Sequence, residues 1–218
     1  MKIANVEPIL KRVTKYDPYF KGANSNRIKS KLWVWGSLLV LVFCIIKRPE
    51  FYLLIISLCV VSIIVLVFSL GLKLPSPPVV YKEGFLVPSI IIQTKPLKLM
   101  VLVKTMKDEE NILGVTIITV KKLPDTELKI GVKVPCVIYA IIPYEKNYPC
   151  ENVDLHPICW ATDDLNTIND SINTIDKQEW DILANFSDSL LTHPKFERYP
   201  IFLYFDNSLT ELTPPDNS

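Results

Sequence analysis

The feature that most constrains this chain is a hydrophobic block from Leu32 to Leu72, interrupted only by the polar tetrapeptide Lys47–Glu50. Its second half, Phe51 to Leu72, has no charged residue and as a helix would extend roughly 30 Å, the thickness of a bilayer's hydrocarbon core. Leu32 to Ile46 would extend only about 22 Å as a helix, but its flanking lysines and two tryptophans suit the membrane interface. The sequence therefore predicts a two-span transmembrane hairpin over residues 32–72. If the short first segment were re-entrant, the topology would invert.

Charge is segregated along the chain, although the formal net charge is only +1. Residues 1–31 hold eight Lys and Arg against two acids, which gives +6, whereas residues 147–218 hold three against thirteen, which gives −10. Because cytoplasmic flanks are rich in Lys and Arg, we expect a multi-pass protein of the cell's inner membrane with residues 1–31 as a basic cytoplasmic arm and the C-terminal domain also cytoplasmic. Residues 75–218 hold thirteen cations against twenty acids, which argues against nucleic-acid binding.

The basic arm and the segment after the hairpin each have a local pattern. Ile9, Val13, Tyr16 and Phe20 recur at helical spacing among basic residues, which favours a short amphipathic helix on the membrane surface. A solvated arm that only sets topology is the alternative. Residues 73–83 are rich in proline, which predicts a stiff linker.

Residues 84–162 contain runs rich in Val, Ile and Leu that are bounded by turn residues, which predicts short antiparallel strands. The four runs are Phe85–Gln93, Lys98–Met106, Ile112–Leu123 and Lys133–Ile142. So small a sheet normally closes or curls to hide its edges, and we expect a small antiparallel β-barrel of the SH3-like or OB-like type. Ile158–Ala161 is predicted as a short fifth strand.

Residues 163–218 predict an acidic helical appendage. Thr162 is the expected N-cap of a first helix, and Asp176 with Glu179 marks the start of a second. Tyr199–Phe205 alternates weakly and predicts a final strand that covers an open edge of the sheet. The expected fold class is therefore a membrane-anchored α+β protein, in which a transmembrane hairpin precedes a small barrel with C-terminal helices.

Four residues are candidates for a metal site because Cys and His suit tetrahedral zinc: Cys136, Cys150, His156 and Cys159. Their spacing matches no standard zinc pattern. Two of the cysteines, Cys136 and Cys159, are explained equally well as small buried hydrophobes on strands. In the inverted topology Cys150 and Cys159 could instead form a disulfide. We assign no metal and no cofactor.

The sequence evidence for a catalytic site is equally weak. Cys159 as a nucleophile would need His156 or His193 as its base, and nothing marks a third, orienting residue. Asp163 and Asp164 could form a general-acid pair, but adjacent helical residues point in different directions, and helix capping explains both. The sequence has no glycine-rich phosphate loop, nucleophile elbow or zinc-protease motif. We therefore predict no catalytic residue.

These observations favour a non-enzymatic, membrane-anchored protein-interaction or scaffold module. Its expected partners are the lipid bilayer and either another protein or a further copy of the chain, with no nucleic acid and no identifiable small-molecule substrate. The alternative is a membrane-bound, metal-dependent enzyme or sensor that uses the four Cys and His candidates.

The stretch from Gly84 to Trp180 contains a Val-rich β segment, a Gly-x-x-Val-Pro-Cys turn at Gly131–Cys136, and a Cys-Trp-Ala-Thr run at Cys159–Thr162 before an acidic helix. In these features it resembles an uncharacterised bacterial family of unknown function. It implies a bacterial origin, and it offers no activity and no site residues.

Overall fold

The computed structural model describes residues 2–22, 75–107, 110–139, 154–191, 203–206 and 208–212, together with isolated positions between 32 and 64. The chain divides into two compact units, one formed by Met1–Asp17 with Ser76–Ser218 and the other by Pro18–Pro75. In the second unit, residues 18–22 are helical, and the rings of Tyr19 and Phe20 meet edge to face at 4.9 Å.

The first unit is built around one antiparallel sheet with helices packed on it. Its described elements, in chain order, are β1 (Lys2–Ile3), α1 (Leu10–Tyr16), α2 (Pro77–Glu83), β2 (Phe85–Thr94), β3 (Leu97–Lys107), β4 (Glu110–Thr119), β5 (Lys133–Ile138), β6 (Leu155–Pro157), a 3-10 turn (Ile158–Trp160), α3 (Leu165–Thr174), α4 (Lys177–Leu191), β7 (Leu203–Phe205) and β8 (Glu211–Leu212).

The strands of the described residues form the order β6-β5-β2-β3-β4-β7-β8, and β1 pairs additionally with the start of β2. β3 and β4 form the longest hairpin, from the pair Lys98–Thr119 to the pair Lys107–Glu110. The sheet therefore ends at two short edge strands, β6 and β8. It is an open sheet, and the expected SH3-like or OB-like closed barrel is wrong.

Burial of both faces explains why the sheet need not close. Leu99 and Met100 are neighbours on β3 and point to opposite faces, yet both are fully buried. One face shares a core cluster with Leu123 and Trp160. On the other face α4 packs across the sheet, where the Phe186 and Phe205 rings lie 4.7 Å apart. Because helices and loops cover both faces, the strands are apolar in continuous runs.

The four strands predicted between residues 84 and 142 are confirmed by β2 to β5, although β4 ends at Thr119 and residues 140–142 lie outside the described residues. The predicted strand at Ile158–Ala161 is wrong, because Ile158–Trp160 is a 3-10 turn that directly follows β6. The final strand is confirmed in part: β7 pairs with β4 and so extends the sheet at that edge.

Helix starts differ from the expectations in two places. The side chain of Asp164, rather than Thr162, caps α3 by accepting from the amides of Asn166 and Thr167. The segment predicted as a stiff linker contains α2, which begins at Pro77 because proline is compatible with the first helical position. The cap at Asp176 is confirmed, since its side chain accepts from the amide of Gln178 at the start of α4.

The membrane expectations need correction. Among the residues that the structure describes, no helix combines the length and the apolar character needed to cross a bilayer. This finding contradicts the two-helix transmembrane hairpin, the membrane-anchored fold class and the multi-pass inner-membrane location with a cytoplasmic arm and domain. The segments Leu32–Ile46 and Phe51–Leu72 lie, apart from isolated positions, outside the described residues. The hairpin prediction rested on the apolar composition and length of these segments alone.

Candidate functional site

Three polar side chains meet inside the first unit and form an internal polar cluster of Asp17, Tyr81 and His156. The Tyr81 hydroxyl donates to Asp17 Oδ2 at 3.0 Å, and His156 Nδ1 lies 2.7 Å from the same oxygen. All three residues are at most 1% exposed, and the Tyr81 and His156 rings meet edge to face at 5.8 Å. Because a carboxylate only accepts hydrogen bonds, Nδ1 of His156 is the donor in this contact.

Three separate elements bring this cluster together. Asp17 is the C-cap of α1, and its amide donates to the Val13 carbonyl. Tyr81 lies in the last turn of α2, and His156 lies on the edge strand β6 opposite Val137 of β5. Asp17 and His156 are 139 positions apart in the chain, so only the folded sheet places them in contact.

Burial dominates the electrostatics of the internal polar cluster. It raises the pKa of Tyr81 well above its ordinary value, and the negative charge of Asp17 raises it further. Partial burial also raises the pKa of Asp154, an effect that His156 opposes and Asp17 reinforces. Tyr81 therefore remains a neutral hydrogen-bond donor, and the cluster is suited to hold segments together inside the protein.

The structure does not assemble the predicted metal candidates. Cys136 is opposite Pro157 in the β5–β6 ladder, and His156 is opposite Val137, so these two side chains project from opposite faces of the sheet. The Cys136 thiol lies 3.2 Å from the hydroxyl of Ser89. Cys150 lies outside the described residues, and within them no group of three potential ligands surrounds a common point.

The thiols are also poor nucleophiles. Burial raises the pKa of Cys159 to about 11 and the pKa of Cys136 further still, so both are protonated at neutral pH. His156, the nearer candidate base for Cys159, is paired with Asp17, and His193 lies outside the described residues.

The two predicted general acids have structural roles. Asp164 caps α3, and hydrogen bonds from the Thr167 side chain and from two backbone amides lower its pKa. Asp163 is exposed and lies 3.7 Å from the Arg12 guanidinium. Capping and surface ion pairing therefore account for both carboxylates.

A second group, on the surface, was not predicted. Three cations surround the ring of Tyr16 at the end of α1, and we call these four residues the basic cluster. The distances to the ring centroid are 4.8 Å for Lys15 Nζ, 5.3 Å for Arg12 Cζ and 5.8 Å for Lys122 Nζ. Such distances are typical of cation–π contacts. Lys15 and Lys122 are exposed and make no ion pair with a described residue.

Two backbone contacts fix the basic cluster on the 3-10 turn. Arg12 Nε donates to the Cys159 carbonyl at 3.0 Å, and the Trp160 indole donates to the Lys122 carbonyl at 2.8 Å. The same guanidinium pairs with Asp125 at 2.5 Å. The charge of Arg12 is thus neutralised by nearby carboxylates, and the two lysines supply the net positive charge of the cluster.

The two groups are adjacent in the chain, because Tyr16 of the basic cluster precedes Asp17 of the internal polar cluster. Asp17 was not predicted as a functional residue from the sequence. The one available signal was that Asp17 and Glu7 are the only acids among eight cations in residues 1–31. This signal does not separate the two acids, because Glu7 is exposed and pairs with Lys82 on the surface.

The fold and its two clusters define a class of protein: an α+β domain with an open antiparallel sheet, a sealed polar interior and a small basic surface. A family model described as "Protein of unknown function (DUF3239)" matches residues 73–190, more than half of the chain, and the chain belongs to this family. This confirms the expected relation to an uncharacterised family. No curated protein and no solved structure gave a significant match. The matched region contains Tyr81, Lys122 and His156 but not Asp17.

Proposed function

We propose that this chain is a non-catalytic protein-interaction module that binds an acidic segment of a partner protein through the basic cluster. The observation that carries the proposal is the convergence of Arg12, Lys15 and Lys122 on the single ring of Tyr16. Arg12 is already paired with Asp125 and lies near Asp163, so the charges of Lys15 and Lys122 are the ones that no described carboxylate balances, and a negatively charged partner supplies that counter-charge. An acidic segment is therefore the chemically matched occupant.

The geometry supports a preformed binding surface. α1 and the loop that carries Lys122 are each hydrogen-bonded to the same 3-10 turn, so little ordering is needed when a partner binds. The half-buried Tyr16 also packs against the core cluster and offers a rigid aromatic surface between the lysines. Aromatic and cationic side chains together are typical of interface centres.

The non-catalytic part of the proposal draws on the interior. The described side chains with the most reactive groups are buried, and each is less than 5% exposed: Asp17, Tyr81, His156 and the thiols of Cys136 and Cys159. A substrate could reach them only after the domain opened. No observation in the described residues favours the alternative of a metal-dependent enzyme or sensor.

The test is fluorescence anisotropy with a labelled short polyglutamate peptide and the full chain, at low and at physiological ionic strength. We expect binding that weakens as salt rises, and a loss of about tenfold or more in the Lys15→Glu/Lys122→Glu variant, because two attractive contacts become repulsive. The matched control is Lys95→Glu/Lys129→Glu, which changes the same number of exposed lysines, neither of which is among the cations described at the Tyr16 ring.

Two results would contradict the proposal. One is equal affinity in the cluster variant and the control, which would assign the binding to diffuse charge. The other is tighter binding of single-stranded nucleic acid than of polyglutamate at matched charge, which would replace the acidic protein segment with a different class of partner.

A further inference from the structure

The basic cluster is formed by two separate parts of the chain. Residues 2–17, which we call the N-terminal strap, contribute Arg12, Lys15 and Tyr16, whereas Lys122 belongs to the domain. The strap precedes the second unit and lies outside the region that the family model matches. The surface that we assign to partner binding therefore exists only while the strap is docked.

Backbone and side-chain contacts both hold the strap. Its strand β1 pairs with the start of β2. Beyond that ladder its amides donate to the domain at four positions: Ala4 to Gly84, Asn5 to Lys82, Val6 to Tyr81 and Ile9 to Ala161, at 2.8 to 3.2 Å. Lys2, Glu7 and Arg12 add polar side-chain contacts to the domain. Only a few of its side chains are buried, among them Val6 and Val13, while Ile3, Ile9 and Leu10 remain 45–59% exposed. The strap therefore makes fewer buried apolar contacts with the domain than the strands of the sheet make with one another and with the helices.

The hydrogen bonds of the internal polar cluster determine where the strap docks on the domain. Asp17 is the last residue of the strap, and it reaches the buried hydroxyl of Tyr81 and the ring of His156. A buried polar pair gains little over apolar residues of similar volume, but separating its partners leaves a buried group unpaired at a large cost, so other positions of the strap are disfavoured. In this domain the groups of the internal polar cluster set the position of the last turn of α1, where Tyr16 lies.

We propose that docking of the N-terminal strap, fixed by Asp17 on Tyr81 and His156, switches the basic cluster between an assembled and a dispersed state. The inference rests on the proposed function of the basic cluster. A partner that contacts both the strap and Lys122 binds only the docked state. By thermodynamic linkage, partner binding must then favour docking to the same extent that docking favours binding.

The experiment is amide hydrogen exchange on the full chain, comparing strap amides of Ala4, Val6 and Ile9 with reference amides of β3. Polyglutamate at about ten times its Kd should slow strap exchange by about tenfold and leave β3 exchange unchanged. The Lys15→Glu/Lys122→Glu variant should show no such slowing, because it does not bind the peptide.

A mild variant tests the role of the internal polar cluster without risking the fold. Tyr81→Phe removes one hydroxyl and keeps the ring, and we expect roughly threefold to tenfold faster strap exchange with unchanged β3 exchange. Equal acceleration of strap and β3 would overturn the proposal, because the strap would then open only with the whole domain.

The failures of the two proposals are distinguishable. If polyglutamate binds at the basic cluster but strap exchange does not slow, the switch is wrong and the interaction surface stands. If polyglutamate does not bind, the proposed function is wrong. The switch is then overturned as well, even if Tyr81→Phe selectively accelerates amide exchange in the strap, because a strap that opens by itself would have no ligand binding to control.

Discussion

Replacing Asp17 by alanine is the sharpest test of the internal polar cluster. The substitution removes the shared acceptor of two buried donors, the Tyr81 hydroxyl and His156 Nδ1, both of which contact Oδ2. A hydrogen bond to a charged group contributes about 1.5–3 kcal/mol, and a donor left buried and unpaired retains its desolvation penalty. We therefore expect Asp17→Ala to lower the free energy of unfolding by about 3–5 kcal/mol.

A loss of this size is a large part of the total stability of a domain, which is about 5–15 kcal/mol. Urea denaturation followed by tryptophan fluorescence measures it, because Trp160 and Trp180 are both buried in the domain. Asp17→Asn keeps one carbonyl oxygen as an acceptor and removes the charge. We expect it to lose about half as much stability, which separates the hydrogen-bonding effect from the charge effect.

The matched control is Glu7→Ala in the same strap. Glu7 is paired with Lys82 at 2.6 Å, but its side chain is 81% exposed, so its removal should change stability by no more than about 0.5 kcal/mol. A loss below about 1 kcal/mol for Asp17→Ala, similar to the control, would refute the view that Asp17 is a required buried acceptor.

Three further predictions concern other parts of the domain. Gly84→Ala should destabilise by about 1–3 kcal/mol in urea denaturation, because the added methyl would collide with Val137 and with the backbone of α2; an unchanged midpoint would show that the helix can shift freely. Cys136 and Cys159 should resist alkylation in the native protein at pH 8 and react after unfolding, since burial raises both pKa values; peptide mapping by mass spectrometry identifies the modified thiols. Asp164→Ala should lower the melting temperature at neutral pH, and its difference from the native protein should shrink as pH falls. The sign follows from the lowered pKa of this cap: its stabilisation is complete above the unfolded pKa, near 3.9, and is lost as pH falls through the lower folded pKa. A difference that grows on acidification would contradict this assignment.

The sheet could largely be predicted from the sequence because its signals are local. Continuous Val, Ile and Leu runs between turn residues located β2 to β5 to within a few residues at most ends. The cap at Asp176 could be predicted for the same reason, since the side chain acts on an amide two residues away. Closure of the sheet is a different kind of property, because it depends on what packs against each face.

The candidate sites could not be predicted, because they depend on contacts between distant segments. Nothing near Asp17 in the sequence specifies His156, and the two meet only because β6 pairs with β5 and α1 docks beside them. The same holds for Lys122, whose position beside Tyr16 is fixed by the indole of Trp160. Spacing patterns instead favoured the four Cys and His candidates, of which the two on β5 and β6 project from opposite faces.

The adjacency of Tyr16 and Asp17 relates the interior of the domain to its surface. An apolar residue at position 17 could be buried as fully as aspartate. Its dispersion contacts would be non-directional, however, and would tolerate several rotations of α1. A carboxylate that must accept from both Tyr81 and His156 permits essentially one rotation of α1. Since Tyr16 is the preceding residue, fixing the rotation at Asp17 also fixes the ring on which Arg12, Lys15 and Lys122 converge. The buried charge is therefore best understood as the element that positions the surface, and loss of binding should accompany its loss.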